Sequence, residues 1–319
     1  MNAIVLGGAY VLDLIAGDPE WLPHPVRAIG WMIRTGQSAA APGDDSTPSR
    51  DLVTGALVTT AAVTLTAGAA IAVLRATRRV HPRARLATEV LLAWTALATG
   101  SLLREAHDVL RALDAGDLPR ARRLLSRIVG RDTHALTEPE IARAVIETVA
   151  ESTCDGIIAP LCCLTLGGVP AALAYKAVNT LDSMIGHPEA PFTYFGRMAA
   201  RLDDVANFVP ARATALAIAG AAALTGDDAA HALRVWRRDH GRHRSPNAGH
   251  PEAAMAGALR VTLGGVNHYD GVASPKPLLG AAQDAPSAAS ARRACRVALA
   301  ASVLAFGVAM LIEIARGRR

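Results

Sequence analysis

From Leu52 to Leu74 the chain runs for 23 residues without a charged side chain, and no other feature restricts its possible folds so strongly. At about 1.5 Å of rise per residue, a helix of that length covers the roughly 30 Å of hydrocarbon in a bilayer. Four further segments have the same character. Leu86–Leu103 holds one acid, Glu89, and Val297–Ala315 carries only Glu313. Ile157–Tyr175 is uncharged for 19 residues, although Pro160, Gly167, Gly168 and Pro170 interrupt it. Val205–Leu224 contains Pro210 and Arg212. The expected fold is all-α, a multi-pass integral membrane protein with four or five spans.

Composition agrees. Of 319 residues, 51% are hydrophobic and 19% charged, where a soluble domain would carry about a quarter charged residues. Aromatics are only 4%, so Ala, Leu and Val supply the apolar content. No Pro/Ser-rich linker divides the chain, and residues 1–319 read as one domain. Its polar regions, 104–156 and 225–296, are expected outside the membrane. A net charge of +5 and an isoelectric point near 9.4 invite a nucleic-acid reading. The basic residues, however, sit in short clusters beside apolar segments, as juxtamembrane charges do. No zinc-finger spacing or aromatic-interleaved basic face accompanies them, and no nucleic-acid partner is expected. Cys154, Cys162, Cys163 and Cys295 form no C-x-x-C pair and read as packing residues. The N-terminus lacks a basic start and holds Asp13 and Asp18, which makes it a poor signal peptide.

Topology stays open at this level. Arg75, Arg78, Arg79, Arg83 and Arg85 argue for a cytoplasmic loop after the first span, yet Arg104–Arg131 is basic too. Both cannot lie on one side if Leu86–Leu103 crosses fully. Within the polar regions, Gly130-Arg131-Asp132-Thr133 reads as a break and Thr137-Glu138-Pro139-Glu140 as a helix start. The 226–296 stretch begins as a basic helix around Trp236 and then reads as loop.

Chemistry concentrates where acids meet apolar runs. Glu147, Glu151 and Asp155 are spaced i, i+4, i+8, advancing about 40° per step around a helix. Their Cβ atoms would lie about 5–6 Å apart, a distance that a divalent cation bridges. Carboxylate oxygens suit Mg²⁺, particularly with nucleotide phosphates completing its shell. The competing reading is a solvated acidic face paired with Arg143. Lys176, Asn179, Asp182 and Ser183 share one helical face that offers a cation, hydrogen-bonding groups and a carboxylate. Arg201, Asp203, Asp204, Asn207 and Arg212 enter a further apolar helix. There Arg201 and Asp204 can pair, while Arg212 needs a partner that an Asp or a substrate anion would supply. Ser245-Pro-Asn247-Ala-Gly249-His-Pro-Glu252 forms a turn that either cradles an anion or caps a helix. Gly17-Asp18-Pro-Glu-Trp21-Leu-Pro23-His24-Pro25-Val-Arg27 is a Pro-stiffened loop whose Trp21, His24 and Arg27 suit ligand contact. No G-x-x-x-x-G-K-[ST] phosphate loop occurs.

These blocks together resemble the adenosylcobinamide-phosphate synthase family of cobalamin biosynthesis, the CobD/CbiB family. The resemblance rests on the Gly17–Arg27 loop, Glu151-Ser-Thr-Cys-Asp-Gly156 with Ala159-Pro160, and Ala174-Tyr-Lys-Ala-Val-Asn-Thr-Leu-Asp182. It continues through Ala200-Arg-Leu-Asp-Asp204 to Pro210-Ala-Arg212, and Ser245–Gly249 with Pro251-Glu-Ala-Ala-Met-Ala-Gly257. Cys154 stands where the family more often has Ser, and Met184–Thr193 is less basic than usual. The resemblance implies an enzyme of the bacterial cytoplasmic membrane that is surrounded by lipid. It would join aminopropanol, or its O-phosphate, to a propionate carboxylate of adenosylcobyric acid with ATP cleavage. Mg²⁺ on Glu147, Glu151 and Asp155, with Asp182 or Asp203, would offset phosphate charge. Lys176, Arg201 and Arg212 would hold phosphate or propionate, and a carboxylate or His24 would accept the amine proton. A non-catalytic sensor of the same fold, a corrinoid transporter and a membrane Mg²⁺-dependent transferase are the alternatives. A sensor would tolerate Glu151→Gln, and the transferase would require a second Asp-rich motif that the chain lacks.

Overall fold

A computed structural model describes residues 2–19, 24–40, 47–187, 191–280 and 284–318. In chain order the elements are α1 (Ala3–Ala16), α2 (Pro25–Ala40), α3 (Pro48–Val80), α4 (Pro82–Trp94), α5 (Thr99–Asp114), α6 (Leu118–Leu125) and α7 (Glu138–Ser152). After a π-helical turn at Thr153–Ile158 come α8 (Ala159–Ile185), α9 (Phe192–Phe195), α10 (Arg197–Thr225), α11 (Ala229–Asp239) and α12 (Gly249–Leu259). A hairpin of β1 (Leu263–Tyr269) and β2 (Val272–Leu279) precedes the last helix, α13 (Ala288–Gly317). All five long apolar segments expected from the sequence lie in helical stretches able to span a bilayer, namely Pro48–Val80, Pro82–Asp114, Glu138–Ile185, Arg197–Thr225 and Ala288–Gly317. Leu57 and Leu65 on α3, Leu216 on α10 and Leu311 on α13 are exposed. Lipid accepts such side chains at no cost.

The chain separates into two compact units. One comprises Met1–Ala98, Ala159–Asn207 and Ala309–Arg319, the other Thr99–Ile158 and Phe208–Val308. Each gathers distant stretches of sequence, so no linker marks a boundary. Both polar regions read from the sequence fall almost wholly in the second unit.

In the first unit, α3 begins with Thr47 Oγ1 accepting from the Arg50 N–H (3.3 Å), Pro48 in the first turn and Asp51 beside it, and it ends on Arg78 and Arg79. These residues satisfy the opening amides and complement the helix dipole at both ends. Ile29 and Ile33 of α2, Ala62 of α3, Leu181 and Ile185 of α8 and Phe195 of α9 form the buried core. Gly55 permits the close approach of α9 to α3, because a β-carbon there would overlap the Phe195 carbonyl oxygen. Leu86–Leu103 is not one continuous helix, since it breaks after Trp94 and resumes at Thr99. With 13 residues, α4 extends only about 20 Å, short of the roughly 30 Å hydrocarbon layer. The Ile157–Tyr175 run is also uneven. It opens inside the π turn and kinks at Gly168, whose φ of 68° glycine adopts without steric cost, two residues before Pro170.

In the second unit, α7 starts with the capping box read from Thr137 and Glu140. The Glu140 Oε2 accepts from the Thr137 N–H at 2.8 Å. The stretch expected as loop after α12 forms the antiparallel hairpin instead, with Tyr269 opposite Val272 across a two-residue Asp270-Gly271 turn. Both turn residues have positive φ, 50° and 79°, which is the backbone that Asp-Gly supplies to tight hairpins. The Gly130–Thr133 break caps this turn, since Asp132 carboxylate oxygens accept from Asp270 N (3.3 Å) and Gly271 N (2.8 Å).

Candidate functional site

Candidate site residues collect in both units. In the first, the loop leaving α1 is fixed before it reaches the start of α2. Gly17 ends α1 at φ 57°, its N–H donating to Asp13 O, and the Trp94 indole N–H donates to its carbonyl at 2.9 Å. Asp18 follows directly. On the other side of the undescribed residues 20–23, which include Trp21, His24 opens α2. The His24 Nδ1 accepts from the Val26 N–H at 3.2 Å, and its Nε2 lies 3.2 Å from Asp18 Oδ1. An imidazole that accepts at Nδ1 carries its proton on Nε2, the atom facing Asp18. Asp18, His24, Arg27, Thr95, Leu97, Ala98 and Lys176 line a cavity of about 280 Å³.

Lys176 lies one helical turn before Asn179, and Asp182 follows on the same face of α8. Within this unit α10 supplies Asp203 and Asn207. The Tyr175 hydroxyl donates to Asn207 Oδ1 (2.8 Å) while Asn207 Nδ2 donates to Asp203 Oδ2 (3.0 Å). Asp182 and Asn179 adjoin the same Asp203 carboxylate, whose Oδ1 is buried without a hydrogen bond. Arg201 interacts with Asp204 one turn on, as the spacing predicted. Tyr175 was invisible as a site residue in the sequence, where it simply ends an apolar run.

The acids of α7 are arranged otherwise than their spacing predicted. Glu147 is 2% exposed and committed to protein partners. Arg131 donates to its Oε2, the Gly264 N–H donates to Oε1 at 2.9 Å, and Arg143 Nε lies 3.9 Å from Oε1. Arg143 extends to the Gly264 and Val266 carbonyls, and both guanidinium groups donate to Asn267 Oδ1, at 2.8 Å from Arg131 and 3.1 Å from Arg143. Glu147 is thus the centre of a clamp that ties α7 to the hairpin. Glu151 is exposed, and the π turn after Ser152 puts half-buried Asp155 out of the i+4 register. Among the described residues, no three His, Cys, Asp or Glu side chains gather as metal ligands.

Ser245 and Asn247 form a turn ahead of α12. Ser245 Oγ accepts from the Asn247 and Ala248 N–H groups, both at 3.2 Å, and Asn247 Oδ1 accepts from Arg212 at 3.2 Å. Arg212 also donates to the Phe208 carbonyl and stacks 3.7 Å above its ring centre. Among the described residues, these partners are neutral groups. Nearby the Trp236 indole donates to His250 Nδ1 (2.8 Å), and His240 stacks on His250 at 4.4 Å. Burial pushes His250 down to about 4, with Arg212 and His240 adding to the shift.

A further centre escaped the sequence reading. Glu252, in the first turn of α12, is 1% exposed, and its Oε1 has no hydrogen bond. His243 Nε2 stands 3.9 Å from it. Burial, with Glu151 and Glu147 nearby, pushes Glu252 up to about 8 despite the opposing Lys276 and Arg131. Burial alone would lower Lys276, but Glu252, Glu151 and Glu147 hold it above its ordinary value. Burial and Lys276 push His243 down to about 4. The only sequence signal was Glu252 in the turn motif, since nothing in the local pattern predicts its burial.

These helices define a multi-pass membrane protein with buried charged centres. The chain belongs to the CobD/CbiB family, since the family model described as CobD/Cbib protein matches residues 6–298. It is 50% identical to the cobalamin biosynthesis protein CobD of Geobacter metallireducens over 279 residues, 88% of this chain and 86% of that one. The Klebsiella pneumoniae protein of the same name is 46% identical, with 94% of each chain covered. The cobalamin biosynthesis protein CbiB of Salmonella typhi is 45% identical over 94% of each. No solved structure matches the chain.

Proposed function

We propose that this chain is a cobalamin-biosynthesis enzyme of the bacterial cytoplasmic membrane, an ATP-dependent amide-forming ligase. It joins 1-aminopropan-2-ol, or its O-phosphate, to a propionate carboxylate of adenosylcobyric acid. Relatives 45–50% identical are named for cobalamin biosynthesis, and the long apolar helices favour a membrane setting. The observation that carries the chemistry is the polar row Lys176, Asn179 and Asp182 on α8, with Asp182 and Asn179 adjoining Asp203.

A carboxylate resists amine attack for want of a leaving group. Transfer of the γ-phosphoryl of ATP to a propionate oxygen gives an acyl phosphate and ADP. The amine nitrogen then attacks the carbonyl carbon, the C–N bond forms, the C–O bond to phosphate breaks, and inorganic phosphate departs. The proton shed by the amine passes to a carboxylate of the same unit. Lys176 and Asn179 supply a cation and a donor to phosphate oxygens. Mg²⁺ fits Asp182 and Asp203, because neighbouring carboxylates, one with a buried oxygen lacking a hydrogen bond, are a donor set that Mg²⁺ uses alongside phosphates. Bound there, it would neutralise charge on the transferring phosphoryl group. Glu151, exposed at the end of α7, stays accessible to ligand.

The test is the purified chain with adenosylcobyric acid, aminopropanol phosphate, ATP and Mg²⁺. Mass spectrometry should find the corrinoid amide, with one ADP released per bond. ATP-independent amide formation, or no amide at all, would overturn the reading.

A further inference from the structure

We infer that the corner between α3 and α4 binds the headgroup of an anionic glycerophospholipid, in a cleft lined by Asn2, Pro82, Arg85, Leu86 and Glu89. This site depends on the membrane setting and not on the ligase chemistry. Length places the corner. As helix, the uncharged stretch Leu52–Leu74 extends about 34 Å, slightly more than the roughly 30 Å hydrocarbon layer. Residues 75–80 of α3 add about 9 Å and so enter the headgroup layer, which is about 5–8 Å deep on each side. The side chains follow the same boundary. Ile71 and Val73 are exposed and apolar, and the cations begin at Arg75.

Charge selects the ligand. Residues 75–89 carry Arg75, Arg78, Arg79, Arg83 and Arg85 against one acid, Glu89. Among the described residues, only Arg85 of these five pairs with a carboxylate, that of Glu89 at 3.7 Å. Arg75, Arg78, Arg79 and Arg83 are exposed, so their counter-ions come from outside the protein. At headgroup depth the anions at hand are lipid phosphates, which a guanidinium group meets with paired N–H donors.

The corner is also rigid. His81 joins the two helices in an extended conformation, its N–H donating to the Thr77 carbonyl at 3.1 Å and its Nδ1 accepting from the Arg83 N–H at 3.1 Å. Pro82 then opens α4 with its backbone already fixed. The adjoining cleft has a volume of about 380 Å³, within the ~300–1,000 Å³ of pockets that hold small ligands. Pro82 and Leu86 give it an apolar wall for glycerol and the first acyl carbons, and Arg85 with Asn2 a polar wall for phosphate. Cations held in place before the lipid arrives lower the ordering cost of binding.

The full chain in a neutral detergent tests this, after equilibration with equimolar phosphatidylglycerol and phosphatidylcholine of the same acyl chains and gel filtration. Mass spectrometry of the retained lipid should show phosphatidylglycerol favoured by about tenfold or more, since each arginine near an anionic surface contributes about fivefold. Raised salt should erode the preference, because exposed charges are screened. Arg78→Gln/Arg79→Gln/Arg83→Gln alters exposed side chains only and should bring the ratio close to one. Arg120→Gln/Arg123→Gln/Arg237→Gln removes three exposed arginines elsewhere and should leave the preference intact. Loss in that control as well would mean a response to net charge and would overturn the site. Equal retention of the two lipids by wild type would overturn it too, whether or not the variants fold. Inorganic phosphate and poly-aspartate, each at millimolar concentration, should displace little of the lipid. Full displacement by either would assign the corner to a soluble anion or an acidic partner instead.

Discussion

Arg131 donates to Oε2 of Glu147, and the two side chains are only 7% and 2% exposed. The Glu147 carboxylate is the counter-ion on which Arg131 depends for its burial, with Arg143 close to the other oxygen. Glu147→Gln keeps the shape but strands guanidinium charge in the interior. Breaking a buried pair in this way costs about 3–5 kcal/mol, which unfolding in detergent should register. The loss should be the same with and without Mg²⁺, whereas a metal-ligand role for Glu147 would confine it to Mg²⁺-containing buffer.

The second unit should show a stability maximum near pH 6.5. His243 and His250 are held down at about 4, from an ordinary value of about 6.5. As pH falls below 6.5, the unfolded chain takes up two protons that the folded one refuses, and stability drops. Glu252 is raised to about 8 from the usual 4.5, so the folded state holds an extra proton up to pH 8. This offsets one of the two imidazoles between pH 4.5 and 6.5, and above 6.5 it acts alone, so stability declines toward pH 8. Glu252→Gln should abolish the alkaline decline and leave the acid one. Unfolding midpoints between pH 5 and 8 for both proteins would check this, and an unchanged alkaline limb in Glu252→Gln would contradict the assignment.

What the sequence made legible follows from the range of each interaction. The five apolar runs were readable because bilayer thickness imposes length directly, and Thr137 with Glu140 because a capping box closes within four residues. Asp270-Gly271 carried a readable hairpin signal, but the Pro, Ser and Gly around it favoured a loop assignment. Glu147 reads as a cation ligand because its protein partners are distant in sequence. Arg131 lies beyond a break, and Gly264 is 117 positions along the chain. The i, i+4, i+8 argument also assumed α-helix through Asp155, where a π turn shifts the register. Glu252 and Lys276 stayed hidden because burial, which no local pattern reports, gives them their character.

Gly271 tests the hairpin independently. Its φ is 79°, and a β-carbon there would meet nothing within 4 Å, so replacing it changes conformational energy alone. Gly271→Val should cost about 1–2 kcal/mol, the penalty for a side chain in left-handed backbone. Asp270→Asn should be nearly silent, since Asn tolerates that region. Hydrogen exchange at the strand amides would show faster opening in Gly271→Val. Equal protection in all three proteins would mean that the turn does not govern the hairpin.

Tyr175 is linked to Asp203 through Asn207, by hydrogen bonds of 2.8 and 3.0 Å. This makes it a positioning residue for the carboxylate proposed to hold Mg²⁺. Tyr175→Phe removes one hydroxyl, leaves the ring packing intact, and takes away the donor that Asn207 Oδ1 accepts from. Loss of such an outer partner typically lowers metal affinity or activity about 10–100-fold. The Mg²⁺ concentration for half-maximal amide synthesis should therefore rise about tenfold, while the maximal rate at saturating Mg²⁺ recovers most of its value. Asp203→Asn and Asp182→Asn remove ligand charge directly, so saturating Mg²⁺ should not rescue them. A Tyr175→Phe protein with wild-type Mg²⁺ dependence but a lowered maximal rate would place its effect elsewhere, and the Asp182–Asp203 assignment would lose its support from this chain of hydrogen bonds.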